Sequence, residues 1–339
     1  MKAAVVTRYG PPEVVELRDI PAPQPRAGEL TIRVHASTVT AADWRMRSGT
    51  VPRGFGGLVR LALGWRGPRQ SVLGAAMAGE VLALGEGVTR FAVGDRVFAM
   101  TGMRLGGHAE RAVLKESGAV APISPGVSFE TAAALPDGGT TAFHFLKDKG
   151  GITPSDRVLI NGASGGVGTA AIQLARYFGA EVTAVTSAAN AQLAARLGAN
   201  RVIDYQTVDF TAEGVCYDLI LDTVGNCPYV RARPALADGG RLLLVATDLM
   251  NTLGAIIRPR RQAGHRIVAG VAAETREVLE LLMALAARGI LTPPIDRRYG
   301  LDEIRAAHAY VETRRKRGSV IVSIDRAAPL TRPAIIESL

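Results

Sequence analysis

The 339-residue sequence predicts an α/β protein in which a parallel sheet, covered by helices on both faces, is joined to a β-rich, barrel-like part. Three observations point there. From about residue 126, short apolar runs alternate with amphipathic stretches. Before it, apolar and polar residues alternate over short runs broken by Gly and Pro, the rhythm of half-buried strands. Between one apolar run and one helical stretch stands a glycine-rich turn, Asn161-Gly-Ala-Ser-Gly-Gly-Val-Gly168.

The elements follow in order. Residues 30–36 alternate as a strand, and residues 80–98 have the strand–turn–strand rhythm of a small antiparallel barrel. Residues 45–70 are rich in Gly and Arg and predict a loop or short helix over a cleft. Residues 157–160, 181–186, 201–203, 217–222 and 241–246 then read as strands, interleaved with helices over 167–178, 190–197 and about 229–236. Such βαβ alternation implies a parallel sheet between helical layers. Two amphipathic helices, 274–288 and 301–313, precede a last strand, 319–324, short enough to rejoin the barrel. The expected division is 1–125 with 271–339 as the barrel-like part and 126–270 as the parallel-sheet part.

The strand Val158-Leu-Ile160 runs straight into Gly162-Ala-Ser-Gly165-Gly166-Val-Gly168 and on into a helix. Glycines permit positive φ and leave space for a pyrophosphate at the backbone, and the helix N-terminus offers unpaired N–H groups to its oxygens. Strand, turn, helix and second strand arrive in the order a dinucleotide fingerprint requires. The doubly wound part is therefore expected to be Rossmann-type.

Bulk properties exclude several classes. An apolar fraction of 47% and a charged fraction of 21% are those of a chain that buries a core. The net charge of +9 comes from scattered arginines not interleaved with aromatics, so nucleic acid is not an expected partner. Two cysteines, Cys216 and Cys227, are too few for a disulfide scaffold and suit a reducing cytoplasm. The apolar stretch 242–257 is interrupted by Asp248 and Asn251, so no membrane span is expected.

Nearly end to end, the sequence resembles a zinc-free member of the medium-chain dehydrogenase/reductase superfamily, in its quinone-oxidoreductase-like branch. The resemblance rests on Met1-Lys-Ala-Ala-Val, Asp43-Trp44-Arg-Met-Arg-Ser-Gly49, Phe91-Ala-Val-Gly-Asp-Arg-Val97, and Ala132-Ala-Ala-Leu-Pro136 with Thr141-Ala142. It continues through the glycine turn, Gly198-Ala199 with Ile203-Asp-Tyr205, and Leu221-Asp-Thr-Val-Gly225. It implies a GroES-like barrel formed by both chain ends, a Rossmann domain, a substrate cleft between them and a homodimer. It also implies NADPH-dependent reduction of a quinone or a carbonyl-activated double bond. The sequence departs from the branch at Ala76, where an Asp is usual, and at Thr40, where an Asn is common. A common Gly and Lys of the C-terminal motif become Arg314 and Ser319.

For the cofactor, NADPH, the expected contacts are Thr141, Ser164, Gly165, Gly166, Val167, Ser187, Asn190, Tyr205 and Ala246. NAD-selective folds place an acid at the end of the second strand, about 20 residues past the turn. Here Glu181 lies at the wrong end and the next acid is Asp204, while Ser187 and Asn190 can donate to a 2′-phosphate. Thr40 is the catalytic candidate, a hydroxyl that could bind ribose or a substrate carbonyl. Asp43, Trp44, His35, His108 and His144 favour structural roles. No metal site is expected: the resemblance implies that Thr40 stands where the metal-dependent cousins of the branch carry a zinc-binding Cys, and four close ligands cannot be assembled. A small electrophilic acceptor is the expected partner, since a conjugated acceptor needs less polarisation than an isolated ketone. Two alternatives are an enoyl reductase for CoA- or carrier-bound thioesters, with the Arg-rich 60–69 stretch meeting phosphates, and a non-enzymatic NADPH-binding sensor.

Overall fold

The computed structural model describes residues 1–50, 64–245, 260–262 and 264–324. The chain opens with an antiparallel pair, β1 (Lys2–Val6) and β2 (Val15–Asp19). There follow β3 (Glu29–Thr38), α1 (Ala41–Ser48), β4 (Ala76–Leu84), β5 (Arg96–Met100), β6 (Arg111–Lys115) and β7 (Ala119–Pro122). Helix α2 (Phe129–Phe143) continues as a π-helical turn over His144–Lys149. The alternating series is β8 (Arg157–Asn161), α3 (Gly166–Tyr177), β9 (Glu181–Thr186), α4 (Ala191–Arg196), β10 (Arg201–Asp204), β11 (Tyr217–Asp222), α5 (Tyr229–Ala232) and β12 (Leu236–Leu244). Then come β13 (Arg260–Gln262), β14 (His265–Ala269), α6 (Arg276–Ala287), β15 (Ile295–Gly300), α7 (Ile304–Glu312) and β16 (Ser319–Ser323).

One sheet runs β10-β9-β8-β11-β12-β14-β13, parallel throughout except for the antiparallel edge strand β13. Numbering its parallel strands in chain order gives 3-2-1-4-5-6, the doubly wound Rossmann arrangement with its switch point between β8 and β11. Val158, Leu159 and Ile160 of β8 are fully buried, as expected of a strand covered on both faces. Each such side chain contributes about 1.5–3 kcal/mol by leaving water.

The second sheet runs β15-β16-β3-β4-β5-β7, with β6 also on β3. β3 shares one edge between β6, which pairs with Glu29 to Arg33, and β16, which pairs with Ala36 to Thr38. The last described strand thus lies against one of the first, closing the sheet toward a barrel. On the other edge of β3, where β4 pairs with it, Gly79 is obligatory: a Cβ there would lie 1.9 Å from the Arg33 carbonyl oxygen on the neighbouring strand.

Helix α2 joins the two sheets. Its apolar residues belong to one core that contains Ala36, Ala78 and Phe98 of the barrel-like sheet and Val158 and Ile160 of the parallel sheet. Its interior Pro136 lacks an N–H, yet the helix continues, and Thr140 Oγ1 donates to the Pro136 carbonyl at 3.0 Å.

Some expected boundaries shift. The helix over 229–236 ends as a short 3₁₀ turn around Pro234, which cannot supply a helical N–H, and β12 starts at Leu236. Of the Arg-rich 45–70 stretch, α1 takes the beginning, and residues 51–63 lie outside the described residues.

Candidate dinucleotide site at the glycine turn

β8 delivers Asn161 to the C-terminal edge of the parallel sheet, at the switch point beside β11. Gly162 turns the chain there with φ of +84°. Its Cβ would meet Thr223 Oγ1 at 2.4 Å, and Gly168 packs so closely that a Cβ would lie 2.2 Å from the Gly162 carbonyl oxygen. Two glycines are therefore required to fold the turn under α3. A third leaves space: a Cβ on Gly165 would meet only the Gly162 oxygen, at 3.6 Å. Gly165 is the N-cap of α3, no side chain among the described residues caps that end, and no acid stands in its first turn. The leading N–H groups and the positive end of the helix dipole are left for an anionic ligand.

The facing wall is set by Asp222, fully buried at the end of β11. Its carboxylate accepts from Asn161 Nδ2 at 2.9 Å and from the backbone N–H groups of Val224, Gly225 and Cys227 at 2.9–3.1 Å. This fixes the loop after β11 as the second lip of the switch-point crevice. Burial, then the neighbouring Asp222 carboxylate, pushes the Cys227 thiol up to about 12, so it is an inert packing residue. Cys216 is half-exposed rather than buried.

At the end of β9 the structure brings three expected residues together. Asn190 Nδ2 donates to Ser164 Oγ at 3.1 Å and to Ser187 Oγ at 3.2 Å, while Asn190 Oδ1 is buried without a partner among the described residues. With their oxygens accepting from Asn190, both serine hydroxyls keep their hydrogens for another acceptor. Tyr205, 60% exposed, stands after β10, and its N–H donates to the Thr186 carbonyl at 3.2 Å. Gly165, Gly166 and Val167 form the turn itself, Thr141 is half-buried on α2, and Ala246 lies outside the described residues.

Thr40 is placed differently from a free catalytic hydroxyl. It caps α1: Oγ1 accepts from the Ala42 and Asp43 N–H groups at 3.1 and 3.2 Å and donates to Asp43 Oδ2 at 2.7 Å. Asp43 completes the capping box and also accepts the Gly74 N–H at 2.9 Å. Trp44 is buried beneath the Arg314 guanidinium, 4.7 Å from its ring centroid. The three histidines all pack structurally. His35 stacks on Phe129 at 4.3 Å, and fully buried His108 lies 2.9 Å from the Thr38 carbonyl through Nε2. His144 pairs with Asp148 at 2.9 Å. Among the described residues no three of His, Cys, Asp or Glu gather where they could hold a metal ion. No helix among them is long and apolar enough to cross a membrane.

Sequence reasoning missed one cluster. Asp137 on α2 accepts from Lys316 Nζ at 3.2 Å and from Ser319 Oγ at 3.2 Å, right beside Gly166. Of its members, only Ser319 carried a sequence signal, as a departure from the resembled branch, and it did not point to Asp137.

Comparison with known proteins agrees with this geometry. Residues 26–125 match the alcohol dehydrogenase GroES-like domain, and residues 197–322 match the family described as zinc-binding dehydrogenase. The described residues do not offer the ligand set which that second description implies. A quinone oxidoreductase of Pseudomonas aeruginosa is 32% identical over 330 residues, covering 93% of this chain and 97% of its own. The quinone oxidoreductase structure from Coxiella burnetii is 30% identical with a TM-score of 0.85, covering 96% of this chain and 99% of its own. A mycobacterial protein solved in complex with NADPH is 27% identical with a TM-score of 0.78, covering 96% of this chain and 100% of its own.

Proposed function

Because the chain belongs to the medium-chain dehydrogenase/reductase superfamily, in its quinone-oxidoreductase-like branch, and is an oxidoreductase with a pyridine-nucleotide-binding fold, we propose that it reduces a quinone or an α,β-unsaturated carbonyl with NADPH and without a metal. The observation that carries the cofactor reading is the Ser164–Asn190–Ser187 network at the end of β9. Two serine hydrogens are available to a 2′-phosphate, the orphaned Asn190 Oδ1 can accept from a ribose hydroxyl, and β9 itself ends on Thr186 rather than on an acid, while Asp204, paired beside Thr186 on β10, accepts the Gln206 N–H at 3.1 Å. The open space at Gly165 and the uncapped end of α3 suit the pyrophosphate.

When bound, reduced nicotinamide supplies the hydride. This chain's residues orient the dinucleotide, exclude water and hold the acceptor. Thr40, its hydroxyl engaged by Asp43, enters this reading as a positioning residue that fixes the start of α1 after β3. With no Lewis acid assembled from the described side chains, the reading favours an acceptor whose developing negative charge is already delocalised. The described residues of the 1–125 and 271–339 segments would form the barrel-like side of the substrate cleft in a cytoplasmic homodimer.

The test is an acceptor comparison in protein treated exhaustively with chelator. Quinones or enones should be reduced by NADPH far faster than simple alcohols are oxidised by NADP⁺, and the rates should not change on chelation. Faster alcohol oxidation, or activity that follows bound zinc, contradicts the reading. Strong inhibition by free CoA would favour the thioester alternative, and NADPH binding without turnover of any acceptor would favour a sensor.

A further inference from the structure

Lys316 sits in an unusual place for a cation. Its Nζ lies 3.0 Å from the point a Gly166 Cβ would occupy, at the first residue of α3. That is the positive end of a helix dipole, where a positive charge is disfavoured. The ammonium is held there by Asp137 Oδ2 at 3.2 Å and by the Gly318 carbonyl at 2.8 Å, which leaves one of its three hydrogens without a partner among the described residues. The pair is mostly shielded from water, with side-chain exposures of 12% for Lys316 and 6% for Asp137. The connection between α7 and β16 that carries it is tied to the turn itself, since Gly318 N–H donates to the Ser164 carbonyl at 2.9 Å.

Asp137 alone at this spot would repel an entering anion, and Lys316 alone would face the helix dipole unbalanced. Together they cancel, and a pyrophosphate entering over Gly165 and Gly166 brings negative charge to the one place where a poised ammonium and a helix N-terminus converge. We propose that Lys316 is a pyrophosphate-binding residue of this protein, with Asp137 as the positioning carboxylate that holds its ammonium at the start of α3. The proposal rests on the glycine turn being the dinucleotide cradle.

Calorimetric titration of NADPH, ADP-ribose and adenosine 2′-monophosphate into the full chain tests it, with Tm measured in parallel. Lys316→Gln should weaken NADPH and ADP-ribose by about tenfold to a hundredfold, as expected for a lost charge-assisted contact left facing an unneutralised carboxylate. Adenosine 2′-monophosphate, which has no pyrophosphate, should bind as before. Asp137→Asn/Lys316→Gln should recover part of the loss, because the repelling carboxylate is gone. Asp137→Asn alone should lower the Tm of the free protein, and NADPH should then raise Tm by more than it does in wild type. Equal affinities for all three ligands in wild type and Lys316→Gln, with only Tm altered, would make the pair a structural salt bridge and overturn the proposal. A loss shared equally by adenosine 2′-monophosphate would also overturn it. Wild-type protein that binds neither NADPH nor ADP-ribose would overturn the cradle assignment as well.

Discussion

Gly138→Ala places a single methyl group where α2 crosses the start of α3. The new Cβ would lie 2.1 Å from the Gly166 carbonyl oxygen, 0.9 Å inside the 3.0 Å below which such contacts are not found. The next atoms, the Gly166 carbonyl carbon at 2.4 Å and the Val167 nitrogen at 2.8 Å, are also backbone, so no side chain can rotate away. The turn must move by roughly 1 Å, and overpacking of this kind costs about 1–3 kcal/mol. The displaced atoms carry the N–H groups offered to the dinucleotide, and a misplacement of about 1 Å can cost on the order of a hundredfold in function. Urea unfolding and fluorescence titration with NADPH should therefore show both lower stability and a Kd raised at least tenfold. The neighbouring Gly139→Ala is the control, because its Cβ meets Leu282 Cδ1 at 2.9 Å, the end of a flexible side chain. It should cost stability with little change in Kd. If Gly138→Ala binds NADPH like wild type, or the two variants behave alike, the contact between α2 and the glycine turn does not govern the site.

Arg314 follows α7 with φ of +59°, the left-handed position that usually takes glycine, while its guanidinium covers Trp44. Arg314→Ala keeps the backbone strain and loses the cation–π contact, whereas Arg314→Gly relieves a strain of about 1 kcal/mol. Unfolding free energies should rank Gly above Ala by about that amount, and the reverse order would refute the strain. Ser187→Asp sets a carboxylate against a 2′-phosphate and should lower the NADPH-to-NADH ratio of kcat/KM by about tenfold or more. An unmoved ratio would place the phosphate elsewhere. His308 is buried with no hydrogen-bond partner among the described residues for either ring nitrogen, and burial, then the neighbouring His108 and Arg47, holds its protonation well below the usual histidine range. The unfolded chain takes up a proton near pH ~6.5 while the folded one does not, so stability should fall below that pH by up to about 1.4 kcal/mol per unit. Urea titrations of His308→Leu should show a flatter profile, and an unchanged slope would assign the acid lability to other groups.

The parallel sheet was readable in the sequence because its strands are short continuous apolar runs set between amphipathic stretches, and β8, the glycine turn and α3 are contiguous. Helix α2 was hidden by local signals that point the other way. Pro136 and the Gly138-Gly139 pair read as breakers, yet those glycines are what let α2 approach α3 so closely. The Asp137–Lys316 pair was hidden for a different reason: its partners lie 179 residues apart, and only the return of β16 to β3 brings them together. Thr40 shows a signal set aside, since Thr40-Ala-Ala-Asp43 has the spacing of a capping box and the structure uses it as one. The departure at Arg314 was informative in kind, because the position keeps the left-handed backbone that a glycine would supply.

The most direct test is to follow the hydride. NADPH bearing deuterium at the transferable position of its nicotinamide should be supplied, with chelator present, to the fastest enone acceptor, and the product analysed by mass and NMR spectroscopy. One deuterium is expected at the β-carbon, with a solvent proton at the adjacent carbon, and turnover with NADH is expected to be slower than with NADPH. Product that carries no deuterium, or turnover that stops once zinc is removed, would contradict it.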